Sequence, residues 1–288
     1  MKNAVEIKNL TKKYHGFLLD HVSFTVPSGY ICGFIGQNGA GKTTLLKLLL
    51  GIARKDDGEI EILGKSADDY LTKEKLGVLF EEPFFRDDWT AMDIEKTLRR
   101  FYPSWDSKAY HDYLQRFSLD WKQKFKKMSR GMKMKLGLAA SLSHDADLLL
   151  YDEPTVGLDP VARDEVLDIM RDYMAREGKT IFFSTHITSD LEKIADYIVY
   201  LDKGRIVFSG MKDELVESYS LLRGGSDDLP PEKRGSIIGL REHIGGFEGM
   251  IKTADLGGFP AAVIAEPGSL EDIMIHLGRK NSKRNSKS

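Results

Sequence analysis

The chain has 288 residues, with 42 lysines and arginines against 44 aspartates and glutamates, and a net charge of -2. That balance suits one large or two modest globular domains and argues against a surface built to hold DNA or RNA, so no nucleic-acid partner is expected. The single cysteine, Cys32, lies in an apolar run as a small buried hydrophobe and excludes an internal disulfide. Charges at Lys2 and Glu6 fall where a signal peptide would be apolar, and no run approaches the ~18 apolar residues of a membrane span. A cytosolic chain is expected, reaching a membrane only through a partner.

Val5 and Ile7 alternate with Glu6 and Lys8, and Val22, Phe24 and Val26 with Ser23 and Thr25, which predicts two antiparallel edge strands. Tyr14, in the turn between them, admits two readings: an aromatic that stacks on adenine, or a tyrosine covering a strand end. The apolar run Tyr30 to Ile35 then leads into Gly36-Gln37-Asn38-Gly39-Ala40-Gly41-Lys42-Thr43-Thr44. Gly36, Gly41, Lys42 and Thr43 satisfy G-x-x-x-x-G-K-[ST], a phosphate-binding loop between a strand and a helix. Glycines let successive backbone N–H groups turn inward around an anion, and the following helix adds its positive end. Lys42 is placed to reach the β and γ phosphates of a nucleoside triphosphate, and the Thr43 hydroxyl to ligate Mg²⁺.

A helix from Lys42 to Leu50 stops at Gly51, and short strands follow at Gly58 to Gly64 and Leu76 to Phe80, the latter ending at Glu81-Glu82-Pro83-Phe84-Phe85. From Thr90 to Ser141 helical spacing replaces the strand signals, with Ile94, Leu98 and Phe101 on one face and Tyr110, Tyr113, Leu114 and Phe117 on the next. This predicts an inserted helical subdomain over about 84–142. Near its end Ser129 is positioned to cap a helix and present backbone N–H groups to an anion.

Leu148 to Tyr151 reads as a strand buried on both faces that ends in Asp152 and Glu153, at the sheet edge where ligands sit in open α/β folds. Asp152 is placed to hold Mg²⁺ and Glu153 to polarise a water; an acidic loop after a strand is the plainer alternative. A helix over Pro160 to Glu177 and a strand over Thr180 to Ser184 bring His186 to the same edge, as a γ-phosphate sensor or a structural histidine. Strands over Tyr197 to Leu201 and Arg205 to Ser209 and a helix over Lys212 to Tyr219 complete a first domain, 1–222. Gly224 to Pro231 reads as a linker. The 223–288 segment then carries short strands at Ile237 to Leu240, Phe247 to Ile251 and Ala261 to Ala265, a helix from Ser269 to about Leu277, and a basic tail (Arg279, Lys280, Lys283, Arg284, Lys287) expected to be disordered.

From about Val5 to about Glu217 these residues, in this order, resemble the nucleotide-binding subunit of ATP-binding cassette (ABC) transporters. The resemblance implies an α/β fold: a RecA-like P-loop NTPase core with an antiparallel β subdomain, the helical insertion and a small α/β C-terminal appendage. It implies ATP hydrolysis with Mg²⁺. Gly36 to Thr44, with Asn38, Gly39, Ala40 and Thr44 among them, matches Walker A; Leu148 to Glu153 matches Walker B with its catalytic glutamate. Gly157-Leu158-Asp159 matches the dimer D-loop, His186 the switch histidine, and Tyr14 the adenine-stacking aromatic. Met128-Ser129-Arg130-Gly131-Met132 stands where the family has Leu-Ser-Gly-Gly-Gln, keeping the serine and second glycine that hold the γ-phosphate of the partner's site. Arg130 replaces a glycine, either adding a cation to that clamp or slowing closure. Glu81 takes the place of the lid glutamine that serves Mg²⁺ and the attacking water.

The family further implies a head-to-tail homodimer, or a heterodimer with a paralogue, on the inner face of the cell membrane. It works with a separate permease whose coupling helix enters a groove near Phe84, Phe85 and Trp89; core packing is the alternative role for these aromatics. The Ser-Arg-Gly-Met form, the appended domain and Gly239-Leu240-Arg241-Glu242 look similar to a Gram-positive exporter subgroup that includes phenol-soluble modulin exporters and YtrB-like systems. That subgroup implies export of amphipathic peptides or drug-like compounds. A soluble cassette ATPase acting on ribosomes, nucleic acid or protein assembly is the rival reading, although neither paired cassettes nor long heptad coils occur. A small-molecule P-loop kinase would have no use for a signature loop with a D-loop.

Overall fold

The computed structural model describes the backbone of residues 2–285 and the side chains of 2–278. In chain order the elements are β1 (Asn3–Tyr14), β2 (Phe17–Pro27), β3 (Ile31–Ile35), α1 (Lys42–Leu49), β4 (Asp57–Ile62), β5 (Lys65–Ser66), α2 (Tyr70–Lys73) and β6 (Leu76–Leu79). There follow α3 (Ala91–Leu98), α4 (Ser107–Arg116), α5 (Arg130–Leu142), β7 (Leu148–Asp152), α6 (Pro160–Met174), β8 (Thr180–Thr185), α7 (Thr188–Ile194), β9 (Tyr197–Asp202) and β10 (Arg205–Met211). The chain ends with α8 (Lys212–Glu217), β11 (Tyr219–Gly224), β12 (Ile238–His243), β13 (Gly246–Lys252), β14 (Ile264–Pro267) and α9 (Leu270–Asn285).

The central sheet runs β10-β9-β3-β8-β7-β6, with β6, β7, β8, β3 and β9 mutually parallel. Every residue of β3, β7 and β8 is buried, which is why the middles of these strands run apolar without alternation, with Asp152, Thr180, Ser184 and Thr185 only at their ends. Parallel register sets Ile35 opposite Thr185 and Asp152 opposite Ser184, so the phosphate loop, the Asp-Glu pair and the histidine all leave the sheet at one edge. A second sheet, β2-β1-β4-β5, is antiparallel in its pairings. Phe24 of β2 stacks on Phe34 of β3 with centroids 6.1 Å apart, and Phe34 on Phe182 of β8 at 5.2 Å, so aromatic contact joins the two sheets in one core.

The helical stretch holds α3, α4 and α5. A capping box between Thr90 and Asp93 starts α3, and Asp106 caps α4 by accepting from the Ala109 N–H. The buried Tyr110 hydroxyl donates to Ala91 O at 3.1 Å and ties these helices together. Tyr110, Leu114 and Phe117 are buried as the helical period predicts, but Phe101 lies beyond the end of α3 and is 68% exposed.

Several expected boundaries move. β1 is an interior strand, flanked by β2 and β4, because alternation marks a buried face without saying how many neighbours pair. The chain divides into compact units at Ser209/Gly210 rather than at 222. The residues before Gly224 form β11, which pairs with both β13 and β14 in the sheet β12-β13-β11-β14. The glycine- and proline-rich segment after it is no loose linker: Gly225 N donates to the Asp228 carboxylate at 3.0 Å, and Leu229 is buried with Leu222, Ile237, Phe247 and Ile251. The helix from Lys212 stops at Glu217, and the strand expected from Ala261 starts at Ile264. Helix α9 packs on β12 and β13 and continues through Arg279, Lys280, Lys283 and Arg284 to Asn285, where a disordered tail was expected; Lys287 lies outside the described residues.

Candidate functional site

The phosphate loop leaves β3 at Gly36 and enters α1 at Gly41. Gly41 takes φ 112°, a left-handed conformation, and a Cβ there would come within 2.6 Å of the Phe17 ring. At Gly36 a Cβ would meet Leu201 O at 2.4 Å, so close approach of the backbone, not a turn, requires glycine there. Ala40 is buried while Gln37, Asn38 and Gly39 are exposed, lifting the middle of the loop into the cleft. The loop, Lys42, Thr43 and Thr44 line a cavity of ≈ 640 Å³ together with Tyr14, Glu81 and Glu153.

Beneath the loop the side chains form one bonded chain. Lys42 is buried, and its Nζ donates to Gly36 O at 2.7 Å and lies 3.2 Å from Glu153 Oε1. The other carboxylate oxygen of Glu153 is 3.0 Å from His186 Nδ1. The Thr43 hydroxyl donates to Asp152 Oδ2 at 2.8 Å, and the Ser184 hydroxyl to Asp152 Oδ1 at 2.5 Å. Glu153 sits at φ 51°, a strained setting for a residue with a side chain, and its N–H donates to the Ser184 hydroxyl and carbonyl, both at 3.1 Å.

Thr43 and Asp152 present a hydroxyl and a carboxylate side by side, the hard oxygen donors that Mg²⁺ takes. Among the described residues no group of three or more His, Cys, Asp or Glu forms a metal cage. This donor set therefore fits a cation held jointly by protein and phosphate oxygens.

A family model described as "ABC transporter" matches residues 19–156. An uncharacterised ABC transporter ATP-binding protein of Nostoc sp. is 38% identical over 268 residues, covering 90% of this chain and 79% of that protein. The chain belongs to the ABC transporter ATP-binding proteins. The ABC transporter ATP-binding protein YtrB of Bacillus subtilis is 32% identical over 75% of this chain and 74% of its own, in keeping with the subgroup resemblance. The bacitracin transport ATP-binding protein BcrA of Enterococcus faecalis is 32% identical over 72% and 69%. A solved ATP-binding subunit of an ABC transporter superposes with a TM-score of 0.67 at 28% identity, over 74% of this chain and 91% of that one. As a member of this family the chain is an ATPase, and the α/β P-loop NTPase fold is that of its neighbours.

Within this ABC ATPase the cavity gathers Tyr14, Gly39, Gly41, Lys42, Thr43, Thr44, Glu81 and Glu153, and bonds link Asp152 and His186 to it. Tyr14 is 44% exposed. Ser129, Gly131, Met132 and Asp159 are not among the lining residues. Ser129 caps α5 as expected, accepting from the Met132 N–H at 3.2 Å, and Asp159 caps α6 by accepting from the Val161 and Ala162 N–H groups at 3.0 Å. Those backbone bonds hold the Asp159 carboxyl below its usual pKa. Arg130 turns toward its own chain, where its Nη2 donates to Glu81 Oε1 at 2.5 Å. Phe84, 79% exposed, and Phe85, which packs edge-on against Phe125, both line a cavity of ≈ 240 Å³, and Trp89 is not among its lining residues.

Sequence reasoning missed Ser184, which holds both Asp152 and Glu153; the one available signal was a hydroxyl at the tip of an apolar strand. It also missed Asp190, fully buried on α7, which accepts from Arg163 Nε at 2.5 Å and from the Thr155 hydroxyl at 2.6 Å. That network ties the segment after Glu153 to the one after His186.

Proposed function

We propose that this ATPase dimerises head to tail around two MgATP, each Walker A loop facing Ser129 and Gly131 of the other chain, with Asp159 at the seam, and drives a separate permease from the inner face of the cell membrane. The supporting observation is the bonded chain from Lys42 through Glu153 to His186. Lys42 neutralises Glu153; phosphate oxygens seated in the loop compete for Lys42 and release the carboxylate to take a proton from water. His186, held by Glu153, is placed to sense the γ-phosphate, and Tyr14 to stack on the base. When bound, Mg²⁺ at Thr43 and Asp152 supplies charge neutralisation to the phosphates. The exposed Phe84 suits a groove for a permease helix. Relatedness to a bacitracin transport protein favours export, with amphipathic peptides or drug-like compounds as cargo.

The test is a pull-down of the tagged Glu153→Gln chain from detergent-solubilised native membranes with MgATP, read by mass spectrometry. A multi-span membrane protein in near-equal amount is the expected result. Recovery of only soluble partners or ribosomes would transfer the protein to the soluble cassette ATPases.

A further inference from the structure

Two residues depart from the family pattern, Glu81 for glutamine in the lid and Arg130 for glycine in the signature loop. They are 49 positions apart in sequence and meet at 2.5 Å in a single chain. Glu81 lines the phosphate cavity together with a second carboxylate, Glu153. A charged lid there repels an incoming polyanion, which a glutamine would not do. Arg130 sits in the first turn of α5, where no acidic side chain is present and a cation opposes the helix dipole. Its placement is unfavourable locally and is offset by the Glu81 carboxylate. A Cβ at Gly157 would lie 3.3 Å from Arg130 Cδ, so the same side chain also runs along the segment leading to Asp159.

We infer that Arg130 is a positioning residue whose partner is Glu81: it cancels the lid carboxylate's charge and fixes it beside the phosphate cavity, so that the two departures are one paired substitution. The inference rests on the ATP-site reading above. Both side chains are about half exposed, 49% and 46%, so the pair adds little to fold stability and its effect falls on nucleotide binding.

The experiment is a double-mutant cycle on the full chain with Glu81→Gln, Arg130→Gly and the two combined, reading Kd for ATP by equilibrium binding, KM and kcat by phosphate release, and the thermal midpoint. Arg130→Gly is expected to weaken ATP binding about fivefold with the midpoint unchanged, and adding Glu81→Gln to restore it to within about twofold of the parent, the scale of coupling between contacting charges. Arg130→Lys, which keeps the charge, is expected to stay near the parent. A loss that persists undiminished in the double variant would assign Arg130 to the partner's phosphate and overturn the pairing, as would an Arg130→Gly chain with parental affinity. Should Arg130→Gly lower the midpoint, Arg130→Gln replaces it in the cycle. Loss of hydrolysis in the parent with ATP binding intact would count against the ATPase mechanism alone, because the cycle is read from Kd.

Discussion

Glu153 stands at φ 51° and is held there by the Ser184 hydroxyl and carbonyl, so the residue proposed as general base is aimed by backbone strain as well as by Lys42 and His186. Glutamine preserves that geometry and removes the proton acceptor. Glu153→Gln is therefore expected to keep ATP affinity and to lose about 10²- to 10⁴-fold of turnover in a steady-state phosphate-release assay, the usual worth of a general base; near-parental turnover would take the role away from Glu153. Asp152, Glu153 and His186 were legible in sequence because each interrupts or follows an apolar run. Ser184 was not, since a serine ending such a run acquires meaning only when parallel pairing sets it against Asp152. Arg130 and Glu81 each stood out singly, but their pairing needed three dimensions.

At the scale of elements, the fully buried strands β3, β7 and β8 were readable because burial on both faces leaves no alternation to confuse. The α/β core, the helical insertion and the helix cap at Ser129 were readable from local pattern, whereas the capping box at Thr90 was not read from it. Pairing partners were less legible. β1 alternates as an edge strand would, yet takes a neighbour on each side, and the glycine-proline composition after β11 concealed a small packed core. Because β11 pairs with both β13 and β14, a fragment of residues 210–288 is expected to show dispersed amide resonances, and one of residues 223–288 to be unfolded. An equally dispersed spectrum from the shorter fragment would restore the boundary at 222.

At the scale of the whole molecule, one chain in the proposed account carries both halves of an ATP site without joining them. The cavity holds the loop, Tyr14 and the carboxylates, while Ser129, Gly131 and Asp159 belong to helix N-termini that do not line it. Among the described residues no helix is long and apolar enough to cross a membrane. In the proposed account transport depends on a permease and the power stroke on a second ATPase chain. The most direct measurement is light scattering on the purified Glu153→Gln chain with and without MgATP. The account predicts one chain's mass without nucleotide and twice that mass with it. A chain that binds ATP yet keeps the mass of one would contradict the head-to-tail sandwich.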